Sequence, residues 1–458
     1  MEDATSTRSW RLTPRPAVKP WIRSQPGPWW DWAWKLSIPV LLGASLVISL
    51  YAGSLQVYVQ LLNSHTYTAF WPALIALYAL ALLIFQGLRT ILWARYKPYP
   101  LGGGPLPSIT VIIPAYNEGA MVEKSLYSVA AADYPAEDLE IICIDDGSTD
   151  DTWSYIQRAR ERYPHLIKPI RFQRNRGKKE ALYAGFSRGR GKILVTVDSD
   201  SVIEADALRH LVAPLIKEDR MGAVAGNVKV YNRQRSFMGR MQGVRFVNLD
   251  YLRASQSLYR TVICTPGSLS AYRRSALLPC LEAWRRQTFL GAPCPHSEDR
   301  ALTNFILRGG YYTYYQRTAV VYTMVPETYR GVCSMYLRWE RGNVRESFVQ
   351  LGYLFTNYRP KYRLMPLVEF FMNLLEFPLT FLGFAMLLIS VAVYPLILVK
   401  FLALLGVVTL VNQIYYLRLE QDAEFIYGVI YSYYAFFLLP WIYPYAFLTV
   451  RNGHWLTR

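Results

Sequence analysis

Val195-Thr196-Val197-Asp198-Ser199-Asp200 is a short apolar run, rich in β-branched residues, that ends in two carboxylates one residue apart. Such a run favours a strand, and residues two apart on a strand face the same way, so Asp198 and Asp200 can present oxygen atoms together at its end. Hard cations such as Mg²⁺ or Mn²⁺ bind through one or two carboxylates completed by phosphate oxygens. The natural partner of the pair is therefore a diphosphate. Asp-x-Asp also closes ordinary strands in turns, so its meaning depends on the surrounding chain.

Residues 109–113, 141–144, 193–197 and 223–225 are nearly continuous apolar runs, which predicts parallel strands covered on both faces. Val122, Leu126 and Val129 recur at helical spacing after the first, and Trp153 and Ile156 mark a helix after the second. The expected unit is a nucleotide-binding α/β domain over 106–226, with ligands at the carboxyl ends of its strands. Each end carries polar cargo: Pro114-Ala115-Tyr116-Asn117-Glu118, Asp145-Asp146-Gly147-Ser148, and Asp198-Ser199-Asp200. Carboxylates there can accept from a base N–H or from ribose hydroxyls. Any one could be a helix cap, but three at one edge make capping alone a poor account. Asn175-Arg176-Gly177-Lys178-Lys179 adds a basic turn at a helix start, suited to diphosphate charge or to a solvated surface.

Hydrophobic residues make up 52% of the 458-residue chain and charged residues 18%, so a soluble domain and membrane segments share it. The net charge of +17 suits anionic lipid and nucleotide or acidic-sugar substrates equally. No zinc-ligand spacing or basic recognition helix points to nucleic acid. The five cysteines, Cys143, Cys264, Cys280, Cys294 and Cys333, lack metal or redox spacing and read as reduced core residues. Residues 1–34, with Arg8, Arg11, Arg15, Lys19 and Arg23, read as a flexible basic tail rather than a cleavable signal. Within 35–96, the runs 36–62 and 67–93 are each long enough to span a bilayer of about 30 Å. Basic residues flank their outer ends, which predicts a cytosolic tail and a cytosolic downstream domain. After a Pro- and Gly-rich linker the catalytic domain is expected over 105–345. Two further spans are expected over 362–418, broken near Tyr394-Pro395, with Glu369 and Glu376 lining a polar channel or lying at the interface. A charged loop follows. Residues 424–450, rich in Tyr, Phe and Trp and interrupted by Pro440 and Pro444, are expected as an aromatic interfacial helix rather than a fifth span.

With these motifs in place the chain resembles glycosyltransferase family 2, with its GT-A fold, and in particular the membrane-embedded processive branch that includes hyaluronan, chitin and, more distantly, cellulose synthases. The fold class so implied is α/β: a cytosolic GT-A domain inserted between N- and C-terminal transmembrane helices, with amphipathic interfacial helices. The resemblance implies that Asp145 and Asp146 contact the uridine of a UDP-sugar, together with Ala115 and Glu118, and that Asp198 and Asp200 hold Mn²⁺ or Mg²⁺ and the diphosphate near Lys178. Ser297-Glu298-Asp299-Arg300 resembles the base motif, with Asp299 as base; its structural alternative is a helix start with Ser297 as N-cap and acids in the first turn. Arg338 and Trp339 match the Arg-Trp of the Gln-x-x-Arg-Trp signature, for phosphate and acceptor sugar; Met335 stands where that signature has Gln. Thr265-Pro266-Gly267-Ser268-Leu269-Ser270-Ala271-Tyr272-Arg273 resembles the segment on which the acceptor end rests, beside Glu298; its structural alternative is a Gly-Pro turn followed by a strand. Residues 451–458 resemble a gating segment that covers the nucleotide with Trp455 and Arg458, although Leu456 replaces its Gly.

What the resemblance implies is a membrane-bound, inverting, metal-dependent UDP-sugar transferase that elongates and translocates a β-linked glycan, with hyaluronan synthesis first. Chitin-like homopolymer synthesis and non-processive lipid glycosylation are the alternatives, as is a binding scaffold without catalysis. Expected partners are UDP-GlcNAc, UDP-GlcA as a second donor, the nascent polysaccharide and the lipid bilayer of the inner or plasma membrane. Nucleic acid is not expected, and self-association into a homo-oligomer stays open.

Overall fold

The computed structural model describes residues 70–453. The basic tail, the first apolar run at 36–62, Trp455, Leu456 and Arg458 lie outside the described residues.

The chain enters through α1 (Phe70–Arg95), which follows the second apolar run and exposes Leu77, Leu80, Leu83, Ile84 and Ile91. The α/β part then runs β1 (Ile109–Ala115), α2 (Met121–Ala130), β2 (Leu139–Asp145), α3 (Thr152–Arg162), β3 (Ile167–Arg171), α4 (Lys178–Arg188), β4 (Ile193–Thr196), β5 (Ser201–Ile203), α5 (Ala207–Lys217) and β6 (Met221–Val230). It continues through α6 (Phe237–Leu258), β7 (Ser270–Arg273), α7 (Arg274–Leu277), α8 (Leu281–Arg285), the small hairpin β8 (Thr288–Phe289) and β9 (Ala292–Pro293), α9 (Glu298–Arg308), β10 (Tyr312–Thr323) and α10 (Tyr329–Leu354). Four helices close the described chain: α11 (Leu364–Val393), α12 (Leu396–Glu420), α13 (Phe425–Leu438) and α14 (Ile442–Leu448).

The main sheet has the order β3-β2-β1-β4-β7-β6-β10-β5. The first four strands are parallel, as their continuous apolar text predicts, and β1 is buried along its whole length. The fourth expected strand, β6, does not join them directly. Antiparallel β7 lies between β4 and β6, while β10 pairs parallel with β6. The sheet is therefore mixed, and the α/β domain continues through β10 rather than closing at 226. α10 likewise continues to Leu354, beyond the expected end at 345.

Among the described residues, α11 and α12 are long and apolar enough to cross a membrane, and they meet at Tyr394-Pro395 where the break is expected. The expected single helix over 424–450 is instead two, α13 and α14, bent by 51°. Pro440 explains the break, because it has no N–H to donate and its ring crowds the preceding turn. The charged segment between α12 and α13 clamps the catalytic domain to these helices: Lys229 reaches Glu420 at 2.9 Å, and Arg233 lies 3.6 Å from Asp422 and 3.8 Å from Glu424.

Glu369 lines no channel in this arrangement. Its side chain is buried and accepts from Arg89 at 2.7 Å, Gln256 at 2.9 Å and Tyr259 at 2.6 Å, tying α11 to α1 and to the end of α6. Glu376, farther along α11, is exposed. Replacing one member of a buried pair leaves the other charge uncompensated, at a cost of about 3 kcal/mol. Glu369→Gln is therefore expected to lower the unfolding midpoint of the detergent-solubilised protein while UDP release per folded molecule stays constant; an unchanged midpoint would count against the pair as an anchor.

Candidate active site

Three adjacent strands, β2, β1 and β4, end at one edge, and their loops knit together there. The Asp146 N–H donates to the Ala115 carbonyl at 2.8 Å, the Asn117 N–H to Ser148 Oγ at 3.0 Å, and the Glu118 N–H to Thr152 Oγ1 at 2.8 Å. Ser199 Oγ donates to Glu118 Oε1 at 3.0 Å, joining the first loop to the Asp-x-Asp turn. Gly147 sits at φ +73°, and a Cβ there would collide with the backbone of Arg174 and Asn175. Only glycine permits that approach of the two turns.

The two aspartates after β2 hold this edge in shape. Asp145 is fully buried; its Oδ1 accepts from the Ser148 N–H at 2.9 Å and its Oδ2 lies 3.2 Å from Arg171. Asp146 accepts from the Arg176 and Gly177 amides at 2.7 and 2.8 Å. Burial pushes its carboxyl up, although those two amides favour the charged form. Two amides of the basic turn, those of Arg176 and Gly177, are thus occupied by Asp146.

Lys178, the first residue of α4, projects into the centre. Its Nζ lies 2.6 Å from Asp198 Oδ1 and 3.0 Å from Glu298 Oε1, bridging the Asp-x-Asp turn and the start of α9. Burial opposes the ammonium, but Asp198 and Glu298 outweigh it and raise its pKa. Burial also works against ionised Glu298, yet Lys178, helped by Arg338, holds it well below the usual carboxylate range. Gly267 lies against the same cluster, where a Cβ would be 3.0 Å from Lys178 Nζ and 3.3 Å from Asp198 Oδ1.

Asp299 stands next to this bridge. Its Oδ2 accepts from the Gly267 N–H at 3.4 Å and from the Cys264 thiol at 3.7 Å, and its Oδ1 from the Arg300 N–H at 2.7 Å. Desolvation pushes its carboxyl up, and the neighbouring Glu298 charge adds to the shift. Buried Ser268 follows Gly267 in the same turn. Ser297 does not cap α9: it adopts left-handed φ 56°, ψ 42° and makes no side-chain cap bond. Trp339 is half-buried, its ring 6.2 Å from that of Phe246 and 5.6 Å from that of Tyr336. Met335 is buried in an apolar cluster with Leu337 and Ile442, so no polar side chain replaces the signature's Gln at that position.

Asp200 is oriented differently from Asp198: its Oδ1 accepts from Ser201 Oγ and Thr323 Oγ1, both at 3.2 Å. Sequence reading missed Thr323, which reaches the site from the far end of β10, and missed Cys264, whose signal was its place three residues before Gly267. All five cysteines are free thiols.

Among the described residues no three His, Cys, Asp or Glu side chains gather as a metal cage. The two aspartates still fit a hard cation, since Mg²⁺ and Mn²⁺ sites of this kind draw their remaining oxygens from substrate phosphate and water.

Comparison with known proteins agrees with this geometry. Residues 110–278 match glycosyl transferase family 2. The chain is 30% identical over 399 residues to hyaluronan synthase of Streptococcus pyogenes, covering 85% of this chain and 92% of that one. It is 32% identical over 292 residues to an N-acetylglucosaminyltransferase of Rhizobium meliloti, covering 62% and 67%. A mannosyltransferase from Pyrobaculum calidifontis, solved with GDP-Man and Mn²⁺, superposes with a TM-score of 0.59 at 23% identity, over 80% of this chain and 98% of that one. The chain belongs to glycosyltransferase family 2, in which its relatives are glycan-building transferases.

Proposed function

We propose that the protein is a membrane-embedded, inverting polysaccharide synthase that transfers sugars from UDP-sugar donors to a growing β-linked glycan and passes the chain across the membrane. Hyaluronan, made from UDP-GlcNAc and UDP-GlcA, is the first candidate product. The observation that carries the reading is Asp299, a carboxylate with raised proton affinity set between the Gly267 turn and the Lys178–Asp198–Glu298 bridge.

In this reading the acceptor sugar rests over Gly267, Ser268 and Trp339, with Glu298 beside it. Asp299 takes the proton of its attacking hydroxyl as that oxygen bonds to the donor's anomeric carbon and the bond to UDP breaks. Ala115, Glu118, Asp145 and Asp146 shape the uridine side, Asp198 and Asp200 hold the metal, and Lys178 and Arg338 offset the diphosphate charge. A bound Mn²⁺ or Mg²⁺ would supply Lewis-acid stabilisation of the leaving diphosphate. Trp455 and Arg458 would close over the nucleotide from the gating segment. The catalytic domain and both termini would lie in the cytosol, and α10, which exposes Phe348 and Leu351 and is followed by exposed Phe355, would rest on the inner membrane surface.

The test is UDP release by detergent-purified protein with Mn²⁺, using UDP-GlcNAc and UDP-GlcA separately and together, with the product sized on a gel. Long product only with both donors supports hyaluronan; turnover with UDP-GlcNAc alone supports the second reading, a single-donor N-acetylglucosamine transferase, which the Rhizobium relative favours. Release without polymer would overturn both in favour of a lipid transferase or donor hydrolysis.

The base must be ionised to work, so kcat/KM falls as pH drops through the Asp299 pKa. Desolvation and Glu298 raise that pKa above the ordinary aspartate value of 3.8, and the acid limb is expected above that value. Glu298→Gln removes the adjacent negative charge and should move the limb to lower pH; a stationary limb would refute the coupling.

A further inference from the structure

The turn that delivers Asp299 is held from outside the reaction centre. Three side chains donate to alternate carbonyls along it: Lys179 Nζ to Cys294 O at 3.1 Å, Arg345 Nη2 to His296 O at 2.5 Å, and Trp284 Nε1 to Glu298 O at 3.0 Å. The donors come from three different helices, α4, α10 and α8. All three side chains are buried, Trp284 completely. The Lys179 ammonium also sits 5.3 Å from the centre of the Trp284 ring.

The Arg345 charge is answered by a buried carboxylate. Glu346 Oε1 accepts from Arg345 Nε and Gln287 Nε2, each at 2.9 Å, and Glu346 Oε2 accepts from Asn304 Nδ2 at 2.9 Å. Tyr353 donates to Asn304 Oδ1 at 3.0 Å and so anchors one of these contacts in turn. Arg345 does two jobs with one planar group: Nε binds Glu346 while Nη2 reaches the His296 carbonyl. A lysine, having one nitrogen, keeps the charge and loses that fork.

The turn they grip leads directly into Glu298 and Asp299. We propose that Lys179, Trp284 and Arg345 are positioning residues for the catalytic base: they hold the 294–298 turn so that Asp299 meets the acceptor hydroxyl, with Glu346 as the buried counter-charge to Arg345. The proposal rests on the reading of Asp299 as base. Displacing a catalytic group by about 1 Å can cost on the order of 10²-fold in rate, so the effect belongs in kcat and not in donor affinity.

Two variants test this. Trp284→Phe removes the donor to Glu298 O together with part of a fully buried ring, keeping an aromatic side chain in the core; Arg345→Lys keeps the charge opposite Glu346 and gives up the His296 carbonyl. Each is expected to lower kcat by about 10-fold or more, with the dissociation constant for UDP in the presence of Mn²⁺ close to wild type, even where the smaller buried side chain lowers the unfolding midpoint. Wild-type kcat in both variants would overturn the proposal, as would a fall in UDP affinity in step with kcat, which marks a merely structural role. Asp299→Asn in the same assay separates the two readings: if it is inactive, an unaffected Trp284→Phe and Arg345→Lys overturn the positioning role alone, whereas an active Asp299→Asn removes the base on which both rest.

Discussion

Asp299→Asn is expected to reduce glycosyl transfer by on the order of 10²- to 10⁴-fold, the range supplied by a positioned general base, while UDP still binds. Asparagine has nearly the shape of aspartate but cannot take the acceptor's proton. It is also mismatched to its neighbours. One side of the carboxylate accepts from Gly267 N–H and the Cys264 thiol and the other from Arg300 N–H, so an amide nitrogen on either side meets a donor. In the proposed reading donor binding rests on other groups, Asp198, Asp200 and Lys178, which belong to the strand-end turn and to α4. Equilibrium UDP binding measured beside UDP release therefore distinguishes a lost base from a collapsed site. Turnover within a few-fold of wild type would sink the assignment.

The parts of the site that could be read from sequence are those made by continuous text. β1, β2 and β4 announce themselves because buried parallel strands need uninterrupted apolar residues, and their polar ends stand out against that background. The break at Tyr394-Pro395 was legible for a similarly local reason. What stayed hidden depends on pairing across long separations. β7 is four residues long, Ser270–Arg273, with nothing in its composition to say that it enters antiparallel between β4 and β6. Glu420 sits in text that reads as a solvated loop, but its partner Lys229 lies 191 residues earlier. Lys178 and Lys179 are neighbours with identical side chains and opposite fates, one bridging Asp198 and Glu298 and the other gripping a carbonyl beside Trp284. Helix geometry separates them by about 100°, and which of them faces the site depends on how α4 lies against the sheet.

Ser297 shows how a local reading can fail and still mark the right place. As an N-cap it would take extended backbone and accept from the first turn; instead its left-handed backbone turns the side chain toward α10, against Gly342. That contact makes Gly342→Ala the second large effect. On propensity alone, alanine in a helix interior is better than glycine by about 1 kcal/mol. Here a Cβ at 342 would overlap Ser297 Oγ and Cβ, leaving only Ser297 Cα at an ordinary 3.7 Å. Overpacking of this kind costs about 1–3 kcal/mol and is relieved by moving backbone, and the backbone that must move lies two residues from Asp299. Gly342→Ala is expected to lose about 10²-fold in kcat with UDP binding retained. Ser297→Gly removes both colliding atoms and accepts φ 56° without strain, so the double variant Ser297→Gly/Gly342→Ala should recover most of the rate. A fully active Gly342→Ala, or a double variant as impaired as the single one, would show that the base turn does not depend on this contact.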